Sequence, residues 1–208
     1  MGEIGAIGKI CDLTNEEEVK RVIEEIVITY GGLDILVCNA GIFYSGENIE
    51  RISQDRWNKT MSINLDATRS LMANSIKYLR HGINPSIIVI GSRNYEAPGA
   101  GASAYSVSKA AVTQLARVAA LELAPQGIRV NILHPDAVFD TQLWTEEALK
   151  KSAERYNLTI EEYKYKNLLG IEVTSKKVGD LVSVMASDIF SATTGAQIPI
   201  DGGNDRVI

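Results

Sequence analysis

The chain has 208 residues, 45% of them hydrophobic, which is enough to form one ample core. A net charge of −5 and the lack of any basic stretch argue against nucleic acid as a partner. No signal peptide or apolar stretch of membrane-spanning length occurs, so no membrane association is predicted. Cys11 and Cys38 lie in apolar, strand-like contexts. Two buried thiols suit a reducing, cytoplasmic compartment.

The predicted elements alternate between strands and helices along the chain. Thr14 and Glu17 are predicted to form the capping box of the first helix, which Gly31-Gly32 should end. Apolar runs predict strands at residues 7–13, 33–38, 86–90, 128–133 and 196–200. The further helices are predicted at residues 51–62, 65–79, 105–123 and 178–187.

Repeated strand–helix units of this kind predict the α/β class. We expect a three-layer, doubly wound parallel sheet with helices on both faces. Strand 33–38 is almost continuously apolar, as a parallel strand covered on both faces should be. A single domain over residues 1–208 is predicted, with residues 136–177 as a polar, helical insertion.

Ser92, Tyr105 and Lys109 form a candidate catalytic triplet. Tyr105 and Lys109 are four residues apart, so a helix places both side chains on one face. An ammonium beside a phenol favours phenolate, which predicts a lowered pKa for Tyr105 and an acid/base group usable near pH 7. Ser92 follows the apolar run 87–90 and should lie at the end of a buried strand. A Tyr-x-x-x-Lys pair alone more often marks a solvated helix face.

Other motifs in the same order strengthen the catalytic interpretation. Asn39-Ala40-Gly41 follows a strand, Asn64 lies in Ser62-Ile63-Asn64-Leu65, and Asp201-Gly202-Gly203 follows the last strand. With the triplet, these motifs resemble the short-chain dehydrogenase/reductase family from about residue 10 to residue 203. The resemblance implies a Rossmann-like fold and an oxidoreductase that uses NAD or NADP on a small-molecule substrate. It implies no metal site.

The resemblance implies a role for each catalytic candidate. Tyr105 would exchange a proton with the substrate oxygen, and Lys109 would lower its pKa and bond the nicotinamide ribose. Ser92 would donate a hydrogen bond to the carbonyl or alkoxide. Asn64 would hold a water that links Lys109 to solvent. The alternative for Asn64 is an amide that kinks or caps a helix.

Cofactor contacts are implied at further positions. Asp12 would meet the adenine amine, although it could equally be a strand-end carboxylate. Small residues at Asn39, Ala40 and Gly41 would let the adenosine ribose approach. Thr141 lies one residue after the position at which the family has a threonine that binds the carboxamide of the nicotinamide. The remaining candidates for cofactor contact are Leu13, Pro135, Asp136 and Val138.

Residues 134–138 depart from the family's usual Pro-Gly. Asp136 could repel an anionic substrate, bind a hydroxyl or cap the next turn. His134 is more often a packed strand residue than a catalyst. The segments 92–94, 97–99, 134–138 and 143–144 resemble the dehydrogenase half of bifunctional class II aldolase/short-chain dehydrogenase proteins. That likeness implies small hydroxy-carbonyl substrates such as lactaldehyde or sugar-derived alcohols. Residues 194–208 resemble the C-terminal end of these proteins, which implies that the chain ends at its native C-terminus.

The N-terminal region departs from the family. Members begin with a strand, a glycine-rich phosphate-binding turn, a helix and a second strand, and the chain is expected to lack this unit. Gly2, Gly5 and Gly8 do not replace it, because the fingerprint needs a preceding strand and a following helix. Strand 33–38 should then be a sheet edge. We expect the 208-residue chain by itself not to turn over substrate.

Two other functions remain open. The chain could be a non-catalytic remnant that serves as an oligomerisation module, since family members pair helices matching 65–79 and 105–123 across subunits. The same helices predict a homodimer or homotetramer, because Ala110, Ala111, Ala116, Ala119 and Ala120 allow close approach. A sugar-nucleotide epimerase shares Tyr-x-x-x-Lys but needs a larger C-terminal substrate domain.

Overall fold

The structure, a computed structural model, describes residues 5–44 and 47–204. Gly2 and residues 205–208, on which two of the sequence expectations depend, lie outside the described residues. The strands form one parallel sheet in the order β1-β2-β3-β4. They span β1 Ile35–Cys38, β2 Ser86–Ile90, β3 Arg129–Pro135 and β4 Gln197–Ile200. The α-helices in this part of the chain are α1 Glu16–Tyr30, α2 Gln54–Met61, α3 Ala67–Leu79, α4 Ser103–Leu123, α5 Glu146–Arg155, α6 Ile160–Lys164 and α7 Ser175–Ala186.

Helices cover both faces of the sheet, which confirms the predicted three-layer α/β class. On one face, α3 and α4 pack against the strands through Met72, Leu79 and Val112. On the other face, Met185 of α7 packs against Ile88 and Leu133. All six side chains are buried, and at roughly 1.5–3 kcal/mol for each large apolar side chain they supply much of the free energy of folding.

The first predicted strand is wrong. Residues 7–13 are irregular in the structure, and the side chain of Ile10 is 98% exposed. A strand needs a hydrogen-bonded neighbour, and within residues 5–44 and 47–204 this apolar run has none. The described part of β1 pairs with β2 alone, and Ile35 and Val37 are 43% and 40% exposed. In the described sheet β1 is therefore an edge strand.

The predicted capping box of α1 is also wrong. The Asn15 side chain caps the helix by accepting from the backbone N–H groups of Glu17 and Glu18. Thr14 instead donates its hydroxyl to Asp12 Oδ1 at 2.7 Å. The predicted end is confirmed, because Gly31 takes the left-handed conformation with φ +81°.

Residues 136–177 fold over the carboxyl edge of the sheet. They contain α5 and α6 and form a small apolar cluster of their own around Phe139, Ala153 and Tyr163. Both helices have Thr N-caps, and Thr159 and Glu162 form a capping box at α6. The insertion thus provides a second wall opposite the strand ends.

No helix in the described ranges combines the length and the apolar character needed to cross a membrane.

Candidate active site

Three of the four predicted catalytic residues, Ser92, Tyr105 and Lys109, lie together at the carboxyl edge of the sheet, while Asn64 is not among the described residues of the cleft wall. Ser92 lies two residues past β2, and Pro135 closes β3. The first turns of α4 carry Tyr105 and Lys109 to the same edge. Together these residues line a cleft of about 770 Å³ between the strand ends and the insertion. Ligands of doubly wound folds bind at this edge.

Ser92, Tyr105 and Lys109 lie close enough to act together. The Ser92 hydroxyl hydrogen-bonds the Tyr105 phenol. The Lys109 ammonium donates to the backbone carbonyl of Ile90 at 2.8 Å and lies 5.7 Å from the centroid of the Tyr105 ring. Phe43 packs edge-on against that ring, with centroids 4.7 Å apart. The tyrosine is therefore held from two sides, and its hydroxyl is directed toward Ser92.

The structure corrects the expected pKa of Tyr105. Burial raises the pKa of the phenol, and the hydrogen bond from Ser92 opposes this rise without reversing it. Lys109 donates toward the Ile90 carbonyl instead of the phenol, so it does not supply the expected stabilisation of phenolate. Desolvation disfavours the charged form of a buried group. Tyr105 is consequently a protonated donor at neutral pH in this structure.

Lys109 is itself buried, at 5% exposure. Burial lowers its pKa to about 8, because the cation loses solvation inside the fold. The ammonium form still predominates near pH 7.

His134 holds Ser92 in place through its backbone. The Ser92 N–H donates to His134 Nδ1 at 3.2 Å, and His134 Nε2 lies 3.3 Å from Gln197 Oε1. An accepting Nδ1 places the proton of the neutral ring on Nε2, where Gln197 accepts it. Burial lowers the pKa of His134, which favours this neutral form. Tyr95 stacks on the ring with centroids 4.0 Å apart. His134 is thus a packed strand residue, and its contacts also position Ser92 in the candidate site.

Asn64 is buried in a π-helical turn, Ser62–Asp66, between α2 and α3. Its amide oxygen accepts from the Ile42 N–H at 2.8 Å. Its amide nitrogen donates to the Ile42 carbonyl and to the Ser108 hydroxyl, both at 3.0 Å. Both amide hydrogens are used, and one oxygen lone pair is left. These contacts tie the π-helical turn to the loop after β1 and to α4.

Within the described ranges, the Asp136 side chain bonds two other side chains and caps no turn. Its carboxylate forms an ion pair with Arg93 at 3.3 Å and accepts from Asn204 at 2.5 Å. Both side chains of the ion pair are largely shielded from solvent, at 25% and 19% exposure. The charge of Asp136 is therefore compensated within the cleft wall.

The cofactor candidates divide into two groups. One group lines the cleft: Asn39, Gly41, Tyr105, Lys109, Pro135, Asp136, Val138 and Thr141. Asp12, Leu13 and Ala40 are not among the described residues of the cleft wall. Asp12 binds the backbone and hydroxyl of Thr14, which lowers the pKa of its exposed carboxyl group. Asp12 lies in the irregular segment before α1.

Sequence reasoning missed much of the insertion wall. Its aromatic surface consists of Trp144, Tyr156 and Tyr163, and its charged side chains are Lys151 and Arg155 of α5. Neither the aromatic nor the basic residues form a known motif. The available signal was the four-residue spacing of Lys151 and Arg155, which puts both on one side of a helix.

A parallel sheet with a cleft at its carboxyl edge, and a Ser–Tyr–Lys group within it, defines the class of nucleotide-dependent oxidoreductase domains. Comparison with known proteins gives the family. A family model described as "Enoyl-(Acyl carrier protein) reductase" matches residues 3–205. The chain belongs to the short-chain dehydrogenase/reductase family.

Individual proteins show the same likeness. The chain is 32% identical over 208 residues to the uncharacterized oxidoreductase YuxG of Bacillus subtilis (strain 168), covering 97% of this chain and 30% of that protein. The ligand-free aldohexose dehydrogenase AldT of Thermoplasma acidophilum superposes with a TM-score of 0.86 at 31% identity, over 100% of this chain and 81% of that one. A structure of ElxO with NADP bound gives a TM-score of 0.80 at 26% identity, over 94% and 76%. The chain thus spans less than a third of the length of YuxG.

Proposed function

We propose that the chain interconverts an alcohol and a carbonyl by hydride transfer with NAD or NADP. The observation that supports this most strongly is the convergence of Ser92, Tyr105 and Lys109 in one cleft. Family membership and the likeness to an NADP-bound structure support the cofactor.

The nicotinamide half of the dinucleotide would bind on the sheet side of the cleft. Gly41 borders this side, where a Cβ would be in ordinary contact with Asn64 Oδ1 at 3.4 Å and Lys109 Nζ at 3.6 Å. The adenosine ribose would approach the backbone of residues 39–41, and Lys109 would bond the nicotinamide ribose. Val138 and Thr141 also line the cleft. When bound, the dinucleotide supplies or accepts the hydride.

Side chains of the cleft and its surroundings would bind the substrate oxygen, transfer the proton and position these groups. Ser92 hydrogen-bonds the substrate oxygen and stabilises the negative charge that develops there. Tyr105 donates its phenolic proton to that oxygen during reduction. Oxidation is the reverse step, in which Tyr105 must be phenolate in order to take the proton of the alcohol. Lys109 keeps a positive charge nearby, and His134 fixes the backbone of Ser92. The water-holding role of Asn64 stays part of this proposal, and its remaining lone pair permits one further hydrogen bond.

We further propose that this chain is the dehydrogenase part of a longer protein of the bifunctional aldolase/dehydrogenase type. The support is the resemblance of residues 92–94 and 134–138 and the greater length of YuxG. Residues 136–177 would then be the substrate wall of a single domain, and small hydroxy-carbonyl compounds or sugar-derived alcohols would be the substrates. The free thiols of Cys11 and Cys38 suit a reducing, cytoplasmic compartment.

The cofactor test compares the 208-residue chain with a longer polypeptide that includes a strand, a glycine-rich turn and a helix upstream. Residues 5–15 form no such phosphate-binding unit. We expect the 208-residue chain to bind NADH and NADPH weaker than micromolar and to show no steady turnover. The longer polypeptide should bind at micromolar concentration and oxidise or reduce a member of a sugar-alcohol panel. Nicotinamide fluorescence and absorbance report both quantities.

Each outcome of this comparison is informative. Micromolar binding with steady turnover by the 208-residue chain would mean that it needs no phosphate-binding unit beyond residues 5–15. The absence of both cofactor binding and turnover in the longer polypeptide would favour the oligomerisation module instead.

We propose that the chain self-associates through α3 and α4. Fewer of the predicted alanines of α4 can take part in this contact than the sequence indicated. Ala116, Ala119 and Ala120 are buried in the core cluster that joins α4 to the sheet, so they are not available for a partner. The outward face of α4 carries Val107, Val118 and Leu121 instead, at 45%, 40% and 78% exposure. This apolar strip would be buried in a homodimer or homotetramer.

Sedimentation of Val118→Glu tests this contact. We expect the unchanged protein to sediment as a dimer or tetramer at micromolar concentration and the variant to dissociate, because a carboxylate would be desolvated in the interface. Leu169→Glu is the control, since Leu169 is 70% exposed on the insertion. A monomeric unchanged protein, or an equal effect of both variants, would contradict the proposed contact.

A further inference from the structure

The cleft differs in charge from the rest of the molecule. The chain carries a net charge of −5. Among the described residues, the cleft wall nevertheless contains four cationic side chains, Arg93, Lys109, Lys151 and Arg155, and one carboxylate, Asp136. A positive cleft in an acidic protein concentrates anions.

Two of these cations already have functions in the wall. Lys109 donates to the Ile90 carbonyl beside Tyr105, and Arg93 forms its ion pair with Asp136. The positive charge that remains for a ligand is on Lys151 and Arg155, both on α5.

Lys151 and Arg155 form no ion pair with any residue in the described ranges. Like charges four residues apart on a helix repel each other and destabilise it slightly. The Arg155 guanidinium reaches across to the backbone carbonyl of Ala100 at 3.4 Å, on the loop that precedes α4. This contact keeps the guanidinium beside the cleft, and Lys151 lines the same cleft.

We propose that the cleft binds a substrate with an anionic group, a carboxylate or a phosphate, and that Lys151 and Arg155 recognise this group. The inference rests on the proposed function for the reacting end of the substrate, which Ser92 and Tyr105 hold at the sheet wall. The anion lies against the insertion wall, and the aromatic surfaces of Trp144 and Tyr156 contact the carbon skeleton between the two ends. The substrate class is then an anionic hydroxy or carbonyl compound.

The test measures binding with a matched pair of probes. Sorbitol 6-phosphate and sorbitol differ only in the phosphate, and gluconate offers a carboxylate on a similar skeleton. Isothermal titration calorimetry with the longer polypeptide should show that sorbitol 6-phosphate binds at least ~10-fold tighter than sorbitol, since charge-assisted hydrogen bonds contribute this much. The preference should weaken at high salt, which screens partly exposed charges. Gluconate decides whether a carboxylate is accepted as well.

The double variant Lys151→Gln/Arg155→Gln should remove the preference for sorbitol 6-phosphate and leave the affinity for NADH and NADPH unchanged. Lys150→Gln is the matched control, because Lys150 is exposed on the same helix and is not part of the cleft wall. Equal binding of the two probes, no binding of either, or a preference that survives in the double variant would overturn the proposal. A drop in cofactor affinity in the double variant would also overturn it, since the two cations would then serve the dinucleotide.

The two proposals fail in different ways. If the hydride-transfer function is wrong, the anion preference persists while no alcohol is oxidised at all. If the anion proposal is wrong, a neutral alcohol is turned over and the double variant performs as well as the unchanged protein.

Discussion

Replacing Tyr105 with phenylalanine is expected to reduce kcat about 100- to 10,000-fold, which is the usual contribution of a positioned proton donor. The phenol is the group that touches the Ser92 hydroxyl, and phenylalanine keeps the ring packed on Phe43 while it removes the proton. Cofactor affinity should change little, because Lys109 and Gly41 are intact. Steady-state rates and nicotinamide fluorescence of the longer polypeptide measure the two effects separately.

Tyr165→Phe is the matched control for this substitution. Tyr165 is 41% exposed and lies outside the cleft wall, so its loss of a hydroxyl should leave kcat unchanged. A Tyr105→Phe protein with a near-native rate would exclude Tyr105 as the acid/base group.

Gly91→Ala should impair both stability and turnover, although residue 91 carries no catalytic group. A Cβ at this position would lie 2.4 Å from His134 Nδ1 and 3.1 Å from Ile132 Cγ2. Ile132 is in the middle of the core and cannot move away, so His134 must shift. Overpacking of this kind costs roughly 1–3 kcal/mol of unfolding free energy. The bond from the Ser92 N–H to His134 would be lost, and misplacement of a catalytic group by about 1 Å can reduce the rate ~100-fold.

Urea unfolding and kcat measure the two consequences of Gly91→Ala. Gly32→Ala is the control, because a Cβ at residue 32 meets no atom within 4 Å and the residue follows the end of α1. We expect the control to change the unfolding free energy by less than about 1 kcal/mol. If Gly91→Ala keeps a native rate, then His134 does not position Ser92.

The amino-acid sequence determined the elements that depend on local patterns. Apolar runs located β2 at the predicted residues, 86–90, and the other three strands within a few residues of their positions. The four-residue spacing of Tyr105 and Lys109 put both on one face of α4, and Gly31 marked the end of α1. These predictions agree with the structure because a period of 3.6 residues, or a left-handed glycine, is a property of a short stretch of chain.

Tertiary structure decided the properties that depend on distant neighbours. The apolar run at residues 7–13 remained irregular, because pairing requires a strand from elsewhere in the chain. The pKa of Tyr105 rose where a local argument from Lys109 predicted a fall, because burial by the whole fold outweighs a partner that donates to Ile90 instead. Lys151 and Arg155 became part of the cleft only when the insertion folded over the sheet. Desolvation, pairing and charge compensation arise from residues far apart in sequence, so only the folded chain determines them.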